Sequence, residues 1–474
     1  MQEGPRPGAR TRPIDSLQLS RDKTRASLVS ACCRSGGKQQ LWLWVHDASD
    51  MLALLASAHG RPSTLRTLDL HGQGMGTSMT TWSGLVGQAW SGIRELTLSD
   101  LNIEGCSFWA SLASCKGLER LKLDSSATMQ LGLSQQQLDG LLPQMLPAVR
   151  HIQFSTPGQL PLVHALAPQL TSITLASVAR LNHHTPALVA ALVRLQQARH
   201  IRAVSIPSQA VLDALLVLPS LQTVDLPFFS GHSAPISSEQ LARCRWQQLS
   251  LGSIHLPGLA CLPLEKLHSL TLHGISVQLS GEGQQELQAA KTAVQRLMRV
   301  PQLSPPVGDG EAWPSHLWIN CPPGELPQHT PQLLQTLRPV VRRLQQVKVT
   351  LFQQQGVLPV AGSLVPWLAA ALGPWLAEVE LRDATVDGSF WPALLQALPS
   401  FPQLRHIELA SPASIAQLGM GMFCMAVPST QALTIKVTGH GLDAGVEVGV
   451  REVQAMLRSM QGFPRGVLVE LGGL

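Results

Sequence analysis

The chain has 474 residues, 45% of them hydrophobic, with 35 Lys and Arg against 30 Asp and Glu. This is enough apolar material for a large core and excludes a disordered chain, while a net charge of +5 over this length is too weak a field to call for nucleic acid. The eight Cys show no CxxC spacing, which argues against a zinc site and a disulfide scaffold and points to reduced thiols in the cytoplasm or nucleus.

The stretch that ends at Arg25 is basic, with Arg6, Arg10, Arg12, Arg21 and Lys23 ahead of it. Pro5, Pro7 and Pro13 spoil an amphipathic presequence, so the segment reads as a tail. No apolar leader is expected. The most apolar run, Val365 to Ala377, is interrupted by Pro366 and Pro374 and is too short to span a bilayer, so no membrane role is expected. A helix is predicted over "LQLSRDKTRASLVSACCR", Leu17 to Arg34, with Leu28, Val29, Cys32 and Cys33 on one side. A strand, "QLWLWV" at Gln40 to Val45, and a helix from Asp50, "DMLALLASA", follow.

Next comes "LRTLDLHGQGMG", Leu65 to Gly76, a strand running into a glycine-rich turn. Its G-x-G-x-G lacks the spacing and acidic partner of a dinucleotide fingerprint, and its strand half recurs, which a cofactor loop would not do. The pattern apolar-x-x-apolar-x-apolar returns at Ile93, Leu118, Val149, Leu170, Ile201, Leu221, Trp246 and Leu267, with successive starts 20 to 31 residues apart. Further copies begin at Leu344, Leu376 and Leu404, with weaker ones around Trp318, Ile435 and Val469. Helical runs lie between them, from Gln135, Pro186, Gln209 and Pro392. Asp100 to Trp109, "DLNIEGCSFW", parallels Asp383 to Trp391, "DATVDGSFW".

Strand and helix alternating at this period describe stacked units that bury their apolar faces only against their neighbours. Within a strand, Leu68 and Leu70 are expected to point inward and Thr67, Asp69 and His71 outward. The rhythm stalls over 281–315, where a helix from Gln284 leads into the Pro- and Gly-rich "VPQLSPPVGDGEAWPS". The expected division is therefore a tail and helix at 1–37, repeats at 38–280, an insertion at 281–315 and repeats at 316–474. The insertion reads either as a loop within one solenoid or as a break between two lobes.

These units resemble leucine-rich repeats, L-x-x-L-x-L-x-x-N/C-x-L, from about residue 38 onward. The resemblance implies an α/β leucine-rich-repeat solenoid (horseshoe) with a parallel inner sheet and outer helices. The family's Asn or Cys slot is here filled by residues such as Leu101, Phe229, Ile254, Ile275 and Ala384. The turns are therefore expected to close by apolar packing. The helix at Leu17 to Arg34 resembles the second half of an F-box, the module that docks an SCF ubiquitin ligase's adaptor. Leu17, Leu19, Asp22, Arg25, Leu28, Val29 and Arg34 match, Cys33 stands where Trp is usual, and the opening Leu-Pro motif is missing. The same helix would serve equally as a lid on the first repeat.

No nucleophile elbow, metal pair or phosphate loop is present, so no catalytic residue, metal or cofactor is expected. "CCRSGGKQ" has Cys32 where a Walker loop needs its first Gly. The adjacent His183 and His184 cannot share a metal, and Trp109 and Trp391 are expected in the core. What remains is the inner sheet. It is expected to offer Arg120, Lys122, Arg150 and His151 early, small groups such as Ser172, Thr174, Ser205, Ser250, Ser269 and Thr271 in the middle, and Glu378, Glu380 and Glu408 late. Such a surface suits a protein or peptide ligand of mixed charge better than nucleic acid. The sequence thus predicts a non-catalytic interaction scaffold. The alternatives are the substrate-recognition subunit of an SCF-type ubiquitin ligase, an enzyme whose site is assembled from distant repeats, or a drifting repeat protein constrained only to fold.

Overall fold

A computed structural model describes residues 40–45, 66–72, 77–79, 92–105, 107–113, 115–124, 127–176, 181–206, 208–229, 234–279, 283–308, 311–312, 314–321, 328–353, 357–427, 432–439, 444–459 and 467–471. The F-box-like segment, the helix from Asp50 and the glycine run after Gly72 lie outside them. The chain divides into two compact units, 1–221 and 222–474.

In the first unit, the strands Gln40–Val45, Thr67–Gly72, Glu95–Ser99, Arg120–Leu123, His151–Phe154, Ser172–Leu175 and His200–Ala203 pair in that order, every one parallel to the next. The inward positions form an unbroken ladder, Leu68, Leu96, Leu121, Ile152, Ile173 and Ile201, none more than 2% exposed. Burying each aliphatic side chain contributes roughly 1.5–3 kcal/mol. Parallel pairing requires a crossover connection between successive strands, and a helix can make it on the far side of that ladder. The helices Gln135–Met145, Leu160–Leu166, Thr185–Val193 and Gln209–Leu216 stack there in sequence. This is the strand-turn-helix repeat of a leucine-rich-repeat solenoid. Asp69, expected to point out into solvent, is only 5% exposed.

One repeat is shifted from its predicted frame. Ile201 pairs with Ile173, the fourth position of its motif, not the first. The repeat is therefore "ARHIRA", Ala198 to Ala203. Ser205 lies beyond the strand, and His200 and Arg202 take the outward positions.

The second unit repeats the plan. The strands Thr223–Phe229, Gln248–His255 and Ser269–Gln278 are parallel, and the last pairs over Ser269–Thr271 with Gln302–Ser304 and over Gly274–Gln278 with Ser315–Cys321. The Pro- and Gly-rich stretch thus interrupts a single strand position, bulging out as a two-stranded antiparallel hairpin, Val307–Gly308 with Glu311–Ala312. The parallel order continues through Val347–Gln353, Leu376–Arg382, His406–Ala410, Leu433–Thr438 and Val467–Leu471.

The matched stretches at Asp100 and Asp383 fold alike. Each Asp has a left-handed backbone, φ 55° and 48°, a conformation Asp tolerates better than most residues. Each turn feeds a short strand, Leu101–Glu104 or Ala384–Val386, at the centre of a small parallel sheet of three strands. A Phe-Trp pair follows, packed edge to face with ring centroids 5.0 Å apart at Phe108–Trp109 and 5.3 Å at Phe390–Trp391. Both Trp side chains are fully buried, as expected of core residues.

Turn closure is not by apolar packing alone. Leu101, Phe229, Ile254, Ile275 and Ala384 are buried as expected, but long polar side chains satisfy many backbone groups the missing Asn ladder would have capped. The amide of the fully buried Gln159 accepts from the Ser155 and Thr156 N–H groups and donates to the Asp124 and Ala127 carbonyls. Arg296 donates to the Leu259 and Leu262 carbonyls, and Arg343 to those of Val300 and Pro301. Apolar packing cannot replace such bonds, because a buried backbone group without a partner is costly.

Gly72 has a steric role. A Cβ there would lie 1.9 Å from the Asp100 carbonyl oxygen. The related His-Gly at Gly274 is covered by the Trp318 ring, 2.0 Å from an added Cβ. Among the described residues no helix is long and apolar enough to cross a membrane.

Candidate functional site

Outward side chains of the first sheet line up across strands. One row runs Glu95, Arg120, His151, Ser172 and His200, and the next Thr97, Lys122, Gln153, Thr174 and Arg202. Neighbours in a row sit about 4.8 Å apart. On this face lies a depression of about 570 Å³ whose lining includes Arg120, Lys122, His151, Gln153, Arg199 and His200, together with Ser172, Thr174 and the apolar Leu121 and Ile152.

Its charge is unevenly balanced. Glu95, next to Arg120 in the row, holds Lys122 at 2.5 Å and lies 3.7 Å from Arg120. Glu119 is taken by Arg94 at 2.5 Å. No carboxylate lines the depression, and among the described residues Arg199 has no ion-pair partner. Burial, then the adjacent Arg120 guanidinium, push His151 below the ordinary imidazole range, with Glu119 pulling weakly the other way. At neutral pH it is an uncharged ring able to donate and accept.

The predicted early residues separate. Arg120, Lys122 and His151 face this depression, while the guanidinium of Arg150 caps the Pro147 and Val149 carbonyls at 2.8 and 3.0 Å. Arg199, His200 and Arg202 were missed because the motif was framed too late in the chain. Uneven spacing around Ile201 was the available signal. The step from Leu170 to Ile201 is long and that from Ile201 to Leu221 short, whereas a start at Ala198 brings the two closer to equal.

Glu378, Glu380 and Glu408 do come together, but around a cation. Lys348 Nζ lies 2.8 Å from Glu380, 3.6 Å from Glu408 and 4.0 Å from Glu378. Arg382 also holds Glu380, and Thr350 donates to it at 3.2 Å. Glu380 is only 3% exposed. A bulge sets this up: Ala377 is the extra residue between Leu376, opposite Val347, and Glu378, opposite Lys348. Burial draws the Lys348 ammonium down, but Glu380, Glu408 and Glu378 outweigh it and its pKa is raised. Burial likewise raises Glu380, yet Arg382 and Lys348 leave it lowered. The cluster is a closed polar network, and its carboxylates face their own cations.

His183 and His184 are exposed in a 3₁₀ turn. Burial pushes the thiols of Cys321 and Cys424 up to about 12, so both are inert at neutral pH.

No family model matches this chain, and no curated protein does either. Among solved structures it is similar to the crystal structure of a TLR13–ssRNA13 complex, at 13% identity and a TM-score of 0.39. The likeness covers 79% of this chain and 53% of that one, so the chain spans about half the length of that protein.

Proposed function

We propose that this chain is a non-catalytic interaction scaffold that holds a protein or peptide partner against the open face of its parallel sheet. The observation that carries this reading is the first unit's depression, lined by cations, imidazoles, hydroxyls and an amide, with no carboxylate or thiol in its lining. Two imidazoles with no acid to orient them make a poor general base. Rows of guanidinium, imidazole and amide groups on a rigid sheet suit a surface that binds through many modest contacts.

The test is site-specific photo-crosslinking in cells. With the crosslinker at Thr97 or Gln153 on the sheet face, a defined adduct is expected, and none with it at Gln136 on the helical side. Adducts from the helical side only would overturn the reading. The finer version, an SCF-type substrate-recognition subunit, rests on Leu17, Leu19, Asp22, Arg25, Leu28, Val29 and Arg34 alone. It predicts that adaptor and cullin copurify with the full chain and not with residues 38–474.

A further inference from the structure

We propose that the first unit's depression is the docking site for an acidic, extended segment of a protein partner, its carboxylates held by Arg120 at one end and Arg199 at the other. The inference rests on the scaffold reading and names the chemistry of what is bound.

Three observations support it. The first is the charge left over. The single carboxylate of Glu95 is shared between Lys122 at 2.5 Å and Arg120 at 3.7 Å, so two cations face one acid, and the Arg120 side chain stays 59% exposed. Arg199 and His200 are exposed as well. Carboxylates supplied by a partner would complete what the chain leaves open, and a guanidinium fork takes a carboxylate through two parallel hydrogen bonds.

The second is span. Arg120 and His200, the neighbour of Arg199, lie three strand steps apart in one row, about 14 Å. An extended peptide covers that in about four residues. Two acidic residues about four positions apart would therefore reach both ends while the segment crosses His151 and Ser172.

The third separates peptide from nucleic acid. None of the outward residues across these strands is Phe, Tyr or Trp, so unpaired bases find only the small imidazoles of His151 and His200 and guanidinium planes to stack on, without the larger aromatic platforms of single-strand binders. Gln153, Ser172 and Thr174 instead offer the mixed donors and acceptors that a peptide backbone uses.

The test uses the full-length chain and three fluorescent probes: a peptide of about twelve residues alternating Glu and Ser, the same peptide with Gln for Glu, and an oligouridylate of similar length. Fluorescence anisotropy is expected to show the Glu peptide binding at least tenfold more tightly than the Gln peptide and than the oligouridylate. Arg120→Glu with Arg199→Glu should weaken it at least 30-fold. Lys291→Glu with Arg342→Glu, the same charge change on helices of the second unit, should alter it less than threefold. Both changed pairs are exposed, and unchanged melting curves confirm folding. Equal affinity for the Glu and Gln peptides, preference for the oligouridylate, or equal loss in the two double variants would overturn the proposal. The crosslinking at Thr97 and Gln153 keeps the two readings apart. An adduct that survives Arg120→Glu with Arg199→Glu sinks the acidic-segment proposal and leaves the scaffold standing, whereas no sheet-face adduct in the wild-type chain sinks the scaffold itself.

Discussion

Replacing Lys348 by Met removes the cation from among three carboxylates while keeping most of its apolar stem. At an effective dielectric of about 20, a unit charge 2.8 Å away, the separation of Lys348 from Glu380, is worth about 6 kcal/mol before desolvation. Desolvating the ammonium and ordering its side chain cancel part of this, and Arg382 and Thr350 still hold Glu380 in the variant. A net loss of about 3 kcal/mol remains, the size found when one partner of a buried pair is removed. Urea unfolding with hydrogen exchange resolved over 347–353 and 376–382 reports it, because the second unit is then followed separately. The pH dependence is specific. Glu380 is lowered in the folded protein, so its contribution in the wild type is present above the ordinary carboxylate pKa near 4.5 and is lost as pH falls through the lower folded value. Lys348 is raised, so its contribution is present below about 10.5 and is lost as pH climbs through the higher folded value. In Lys348→Met the carboxylates repel one another, so the deficit should shrink from pH 7 to pH 4. Lys348→Met with Glu380→Gln should be more stable at pH 7 than Lys348→Met alone. A deficit under 1 kcal/mol that does not change with pH would refute the reasoning.

Gly72→Ala places a methyl group 1.9 Å from a backbone oxygen and should cost about 3 kcal/mol or more. Gly140→Ala, on an exposed helix position with nothing within 4 Å, should gain up to about 1 kcal/mol; thermal melts read both. Gln159→Ala strips four hydrogen bonds from the backbone, two of them, at Ser155 and Ala127, buried, and should cost about 2–4 kcal/mol, with faster hydrogen exchange at Ser155 and Thr156 as its local sign. Cys321 and Cys424, with thiols near 12, should resist iodoacetamide at pH 8 in the native protein and react in urea. Native-state labelling at the unfolded rate would show those sites to be open.

The strands were legible because their signal is carried by large aliphatic side chains at positions the core itself demands. Leu68, Leu96 and Leu121 could not be moved without exposing a row of apolar surface. The frame slipped at Ile201 because Ala198 and Ala203 fill the neighbouring core positions with methyl groups, which a pattern search weighs too lightly. Lys348 sat in a recognised motif, yet its partners come from the next two strands of the sheet, and only parallel stacking and the bulge at Ala377 bring them within reach. Alternation alone put Glu380 in solvent, and its burial depends on side chains from two other strands. The polar turn closures had no spacing to find, since Gln159 and Arg343 reach back a whole repeat to carbonyls that carry no side-chain signature.

The two units permit one further comparison. Both place a left-handed Asp before a second small sheet, and both follow it with a buried Phe-Trp pair, so the demands of the shared scaffold are met by the same parts in each. Their open faces differ. The second unit gathers Glu378, Glu380 and Glu408 around Lys348, with Arg382 on Glu380 as well. The first sets Arg120 and Arg199 beside a depression with no carboxylate in it. Since the second unit folds on the same plan with a part-buried cation among its carboxylates, the scaffold does not require the exposed cations of the first unit's face. Exposed guanidinium groups add little to stability. Folding alone therefore does not account for the unbalanced face, which is why the proposed acidic segment is sought there and on another molecule.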